Sequence, residues 1–142
     1  MTSLFIASDH AGFALKQYLI KESGFDMVDL GTHGTESCDY PIFAQMLVEH
    51  VLVDKKNRGI LICSTGIGMT IAANRHNGIR AALCLNERMA NLSRCHNNSN
   101  VISFGSSLVT NEAALGCLKV FLETEFEGGR HARRLGLIDV GE

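Results

Sequence analysis

Short apolar runs alternate with segments of helical period along almost the whole chain. Leu4-Phe5-Ile6-Ala7 is the first run and predicts a strand. Ala11 to about Glu22 predicts a helix, with Ala11, Ala14, Leu15, Tyr18 and Leu19 on one face and Gly24 closing it. Met27-Val28-Asp29-Leu30 predicts a short second strand, followed by a polar loop over residues 31–39. Pro41 stands where the first turn of a helix accepts proline. That helix carries Phe43, Met46, Leu47, His50 and Val51 on its apolar face. Ile60-Leu61-Ile62 is a continuous apolar run, as a strand covered on both faces requires. Ala81-Ala82-Leu83-Cys84 and Val101-Ile102-Ser103-Phe104 predict strands four and five. Helices follow them from about Glu87 to Arg94 and from about Asn111, the latter with Ala114, Cys117, Leu118, Phe121 and Leu122 inward. A last helical segment runs from about Arg130 to Leu137 after Gly128-Gly129. Strand and helix patterns in this alternation predict an α/β fold on a parallel sheet.

Ligands of such a sheet bind beyond the C-terminal ends of its strands, and that rule sorts the polar residues. Asp9-His10 follows strand one, Cys63-Ser64-Thr65 follows strand three, and Gly105-Ser106-Ser107 follows strand five. His96-Asn97 lies in a run of turn formers before strand five, at the opposite end. If His96 serves the same site as Cys63, it must reach it from a neighbouring subunit.

The densest chemistry lies in Cys63-Ser64-Thr65-Gly66-Ile67-Gly68. Gly66 and Gly68 allow a sharp turn and a close approach to a ligand. A helix through Thr70-Ile71-Ala72-Ala73-Asn74 then aims its free N–H groups back into the turn. Such groups favour a thiolate at Cys63, which can act as a nucleophile or a general base. Ser64, Thr65 and the backbone N–H groups of the loop can hold developing negative charge. The loop is not a phosphatase loop, because Met69 stands at the arginine position. No Gly-Lys-Ser/Thr follows, and Ile71 replaces the third glycine of a dinucleotide fingerprint.

Composition narrows the field. The chain has 142 residues, 46% apolar and 20% charged, which suits one globular domain spanning it. A net charge of −2 supplies no general field for nucleic acid or an anionic membrane. No apolar run approaches the roughly 20 residues that cross a bilayer. The N-terminus lacks a basic region and meets Asp9 early, so a cytoplasmic location is expected. Five cysteines without a C-x-x-C pair point away from a disulfide framework or structural zinc. Cys84 and Cys117 sit in apolar stretches, and only Cys63 has a setting that suggests chemistry.

The remaining candidates are individually ambiguous. Asp9 can simply cap a helix, and His10 beside it can donate to a phosphate or hydroxyl. Arg130 and Arg134 lie one helical turn apart and can converge on one phosphate, or form a solvated basic helix end. His33, His50 and His76 have no supporting constellation. Together, an acid, an activated thiol, an oxyanion cradle, a histidine and an arginine pair suit proton transfer beside a carbonyl on a phosphorylated small molecule.

These residues resemble the type B ribose-5-phosphate isomerases, grouped with the galactose-6-phosphate and allose-6-phosphate isomerases. The resemblance spans nearly the whole chain. It is carried by Ser8-Asp9-His10-Ala11-Gly12, Asp39-Tyr40-Pro41, Cys63 to Gly68 with Ala72-Ala73-Asn74, Arg94-Cys95-His96-Asn97, Asn100-Val101, Phe104-Gly105-Ser106 and Glu127-Gly128-Gly129-Arg130-His131. It implies a three-layer α/β/α sandwich, Rossmann-like, with strand order 2-1-3-5-4. It also implies a homodimer, in some members paired into a tetramer, with the active site at the subunit interface. The reaction implied is interconversion of ribose 5-phosphate and ribulose 5-phosphate in the non-oxidative pentose phosphate pathway, with no metal or other cofactor.

Carried over by motif, Cys63 is the base that moves a proton between C2 and C1 through a cis-enediolate. The loop Ser64, Thr65, Gly66, Ile67 and Gly68 stabilises the oxyanion, and Thr65 helps relay the hydroxyl proton. His96 opens the furanose ring with the aid of Asp9. Asn97 holds sugar hydroxyls, and Arg130 and Arg134 bind the phosphate with His10 nearby. The chain departs from the family pattern at Ser64, where glycine is common. Ser107 stands where some members place a polar or basic ligand-binding side chain. Met69 occupies the position of a glutamate base used by one branch, so Cys63 places the chain with the thiol branch. Isomerisation of a six-carbon 6-phosphate, or a sugar-phosphate-binding module without catalysis, are the competing functions.

Overall fold

The computed structural model describes residues 3–139. Five strands, β1 (Leu4–Ser8), β2 (Val28–Asp29), β3 (Arg58–Cys63), β4 (Ala81–Leu83) and β5 (Val101–Gly105), form one sheet. Every pair is parallel and the order is β2-β1-β3-β5-β4, as the resemblance implied. Among the described residues six helices accompany them: α1 (Phe13–Glu22), α2 (Tyr40–Val51), α3 (Ile67–Asn74), α4 (Glu87–Asn97), α5 (Asn111–Glu123) and α6 (Arg130–Ile138). No helix among the described residues is long and apolar enough to cross a membrane.

Because side chains alternate across a strand, β3 feeds two cores. Ile60 and Ile62 pack on one face with residues of α1, α4 and α5, including Leu15, Leu19, Ala90, Leu118 and Phe121. Leu61 and Cys63 pack on the other with Ala44, Leu47 and Val48 of α2 and Met69 and Ala73 of α3. Each fully buried aliphatic side chain here contributes roughly 1.5–3 kcal/mol. The result is a three-layer sandwich with β3 at its centre, between β1 and β5.

The chain leaves β1 for β2 on one side, and all later strands lie on the other. That reversal opens a crevice at the C-terminal ends of β1 and β3, where ligands of doubly wound sheets bind. The register pairs Ser8 with Ile62, so Asp9 and Cys63 emerge side by side. The Asp9 N–H donates to the Ile62 carbonyl at 3.2 Å.

Several boundaries differ from the sequence pattern. α3 starts at Ile67, ahead of Thr70, because Gly66 at φ +78° turns the chain directly into the helix. α4 runs on to Asn97, so His96 and Asn97 belong to its last turn rather than to a loop. Asn98 ends that helix in the left-handed conformation, with φ +47°. Ala11 and Ala14 are exposed rather than inward, and His50 is exposed on α2. In their place α1 buries Lys16 completely, its Nζ 2.7 Å from a carboxylate oxygen of Asp29. Local periodicity does not register such a buried ion pair, since its partner lies on β2.

Candidate active site

Backbone geometry assembles the cleft at β3. Cys63 is the last residue of the strand and is buried. The Gly66 N–H donates to its Sγ at 3.2 Å, so the turn into α3 aims a helix-terminal donor at the sulfur. The Ile67 N–H donates to Thr65 Oγ1 at 3.2 Å. Among the described residues, the N–H groups of Ser64, Thr65 and Gly68 have no acceptor in the chain. They remain free for a developing oxyanion.

Asp9, Tyr40, Cys63, Ser64, Thr65, Ile67, Gly68 and Ile71 line this cleft, which measures about 400 Å³. Asp9 is buried and its Oδ1 accepts the Gly12 N–H at 3.0 Å. The sequence offered capping and catalysis as alternatives for Asp9; its carboxylate caps the turn before α1 and also faces the cleft. Gly68 lets the Tyr40 ring lie against the backbone: a Cβ there would fall 2.5 Å from the ring and displace it. Sequence reasoning passed over Tyr40 and Ile71 as cleft residues; the Asp39-Tyr40-Pro41 helix start was the available signal.

Two further predicted residues support the rim. Ser107 donates its hydroxyl to the Ser64 carbonyl at 2.6 Å and its N–H to the same oxygen at 2.9 Å. It clamps the loop to the end of β5. His10 Nδ1 accepts the Cys38 N–H at 3.2 Å, which ties the 31–39 loop to the cleft's edge. That loop is anchored in turn by Asp29, which accepts the Gly31 N–H at 2.9 Å while holding Lys16.

The other predicted residues form a separate cluster. None of His96, Asn97, Arg130 and Arg134 lines the cleft at Cys63 within this chain. His96 closes α4 and stacks on His131 of α6, with ring centroids 4.3 Å apart and planes 12° from parallel. Glu127 Oε1 lies 3.5 Å from His131 Nε2. Burial, then the charges of His96 and Arg130, lower the His131 pKa against the opposing carboxylate of Glu127. Arg130 and Arg134 are exposed in the first turns of α6, which has no acid in its first turn. Cations are favoured at a helix C-terminus, so a plain basic helix end does not account for these arginines at an N-terminus. Two guanidinium groups one helical turn apart, with the helix-terminal N–H groups, instead suit an anion.

The remaining cysteines do not share the setting of Cys63. Burial pushes Cys84 up to about 12 and Cys117 up to about 11, so both stay thiols in the core. Cys95 is also raised, by desolvation and then by Glu127.

Comparison with known proteins bears on the chain as a whole. The family model described as Ribose/Galactose Isomerase matches residues 4–138. Ribose-5-phosphate isomerase B of Escherichia coli is 40% identical over 141 residues, covering 97% of this chain and 95% of the relative. A solved ribose 5-phosphate isomerase from Thermotoga maritima superposes with a TM-score of 0.92 at 46% identity, covering 96% of this chain and 97% of that one. Ribose-5-phosphate isomerase B from Mycoplasma genitalium, solved with bound ribulose-5-phosphate, gives a TM-score of 0.91 at 42% identity, covering 96% and 93%.

Proposed function

The chain belongs to the ribose/galactose isomerase family, and we propose from that premise how its two clusters interconvert D-ribose 5-phosphate and D-ribulose 5-phosphate. It is an aldose–ketose isomerase. The observation that carries the mechanism is Cys63 Sγ, held at a strand end by the Gly66 N–H at 3.2 Å beside free backbone donors.

His96, aided by Asp9, moves the proton that opens the furanose ring. The Cys63 thiolate then takes the proton from C2 of the open aldose. The bonding electrons form the C1=C2 bond of a cis-enediolate, and negative charge settles on O1. The N–H groups of Ser64, Thr65 and Gly68 stabilise that charge. Thr65 relays the O2 hydroxyl proton to O1, and the Cys63 thiol returns its proton to C1, leaving the ketone at C2. Asn97 holds sugar hydroxyls, while Arg130 and Arg134 take the phosphate with His10 nearby.

Because these groups fall into two clusters, the working unit is a homodimer. One subunit supplies Cys63, Asp9 and the loop; its partner supplies a second copy of His96, Asn97 and the arginines. Support comes from the apolar rim of the cleft, where Ile67 and Ile71 are each at least half exposed. Such a face suits a second copy of this chain across a two-fold axis. The activity belongs to the non-oxidative pentose phosphate pathway in the cytoplasm.

The test is Cys63→Ala. It abolishes hydrogen exchange at C2 while sugar phosphate still binds; turnover at the normal rate in this variant overturns the thiol mechanism. Comparing kcat/KM on ribose 5-phosphate with that on allose and galactose 6-phosphates checks the pentose assignment.

A further inference from the structure

His131 has no role in the mechanism above, yet its placement is the most constrained in the second cluster. It is buried at 7% exposure on a helix whose neighbouring residues are exposed. Its Nε2 is buried and makes no hydrogen bond, with Glu127 Oε1 3.5 Å away, so burial of this nitrogen is unfavourable where a carbon would not be. What His131 does present is a ring face, lying nearly parallel to His96 at 4.3 Å. The His96 ring itself makes no hydrogen bond to any described residue. Stacking on His131 therefore bears directly on the plane of its imidazole.

The scaffold beneath is stiff. The Glu127 N–H donates to the Cys95 carbonyl at 3.1 Å, fastening the segment before α6 to the last turn of α4. The His131 N–H donates to the Gly128 carbonyl at 3.2 Å. Glu127 flanks the ring from one helical turn away. A metal ion fits these side chains less well, although donor atoms of His96, Glu127 and His131 lie within 4.8 Å of one another. Near-parallel rings aim their lone pairs side by side rather than at one point, and Arg130 and Arg134 oppose a cation.

We infer that His131 is a positioning residue: a buried aromatic platform that fixes the ring plane of His96 for proton transfer during ring opening. The inference rests on the assignment of His96 to that step. Its signature follows from substrate chemistry. The aldose closes a furanose through O4, whereas the ketose has O5 esterified and no furanose to open. A loosened His96 therefore slows kcat from the aldose and spares kcat from the ketose.

The experiment compares His131→Phe with His131→Leu in the full-length protein. Both side chains fill the buried site, but only phenylalanine restores a flat stacking face. We expect His131→Phe to keep near-normal kcat in both directions. His131→Leu loses about tenfold from the aldose, the order expected for misplaced catalytic geometry, and less than twofold from the ketose. In the wild type, the His96 ring protons, assigned against His96→Asn, carry an upfield ring-current shift that persists in His131→Phe and disappears in His131→Leu. Equal behaviour of the two variants, an equal loss in both directions, or a wild-type His96 without that shift overturns the inference. The NMR shift decides the matter even if the leucine variant does not fold. Normal aldose turnover in His96→Ala would instead sink the ring-opening assignment itself, a separate outcome.

Discussion

The cleft at Cys63 and the cluster at His96 are built in opposite ways. The first is local. A strand, a left-handed glycine and a helix place the sulfur, its N–H donor and the free backbone donors within a few consecutive residues. The second gathers the end of α4, the connector at Glu127 and the start of α6, held together by packing between distant segments. The first holds the thiol and the free backbone donors, without the histidine and arginines that the proposed mechanism assigns to ring opening and phosphate binding. The second holds those groups and lacks the thiol. On the proposed mechanism the difference means that each chain carries two complementary halves, and catalysis draws on two chains.

The largest effect comes from separating the halves. Cys63→Ala and His96→Ala homodimers are each expected to be severely impaired from the aldose. Unfolding and refolding an equal mixture should restore about a quarter of wild-type activity, because half the dimers are then mixed and each mixed dimer has one intact site. If the mixture stays as inactive as its parents, the halves do not meet across an interface.

Next in size is the support of the first half. Asp29→Ala leaves Lys16, fully buried, without its carboxylate. Urea unfolding should show a loss of about 3–5 kcal/mol, as when one partner of a buried pair is removed. An unchanged midpoint would mean that Lys16 escapes to solvent. Arg134→Ala probes the second half. It should raise KM for the sugar phosphate about 10- to 100-fold with a smaller change in kcat, the value of a charge-assisted hydrogen bond. Loss confined to kcat would place the phosphate elsewhere.

The smallest effect is a pH slope. The His131 pKa is lowered below 6.5 by burial, then by His96 and Arg130. Between the folded value and 6.5 the unfolded chain binds more protons, so stability rises with pH through that window and falls as the solution is acidified through it. Urea midpoints measured at several pH values should show a shallower acid loss in His131→Phe. An identical slope would assign the acid sensitivity to other groups.

How much of this was legible in the sequence follows the same division. The apolar run Ile60-Leu61-Ile62 ahead of Cys63, Gly66 and Gly68 is a short-range signal, and it located the strand, the turn and the thiol. Its boundary with α3 was set late because the left-handed Gly66 starts the helix before any apolar period is visible. The run of polar residues around His96 looked like a loop, since Asn97 and Asn98 are turn formers. Yet α4 continues to Asn97, with Arg94 bonding Asn98 Oδ1 at 2.8 Å and the Ser99 carbonyl at 2.7 Å beneath it. Lys16 was invisible as a core residue because its partner Asp29 belongs to β2. His131 was equally hidden: four-residue spacing links it to Glu127, and nothing along the chain links it to His96.

The sequence by itself determined the alternation of strands and helices, the sheet's parallel character and the position of Cys63 at a strand end. Each of these depends on contacts between residues a few positions apart, where backbone geometry dictates which side chains share a face. Only the tertiary structure decided that Tyr40 covers Gly68, that Lys16 is buried and that His96 lies on His131. Those contacts join segments whose separation is set by how helices pack on the two faces of the sheet, and no local period encodes that choice.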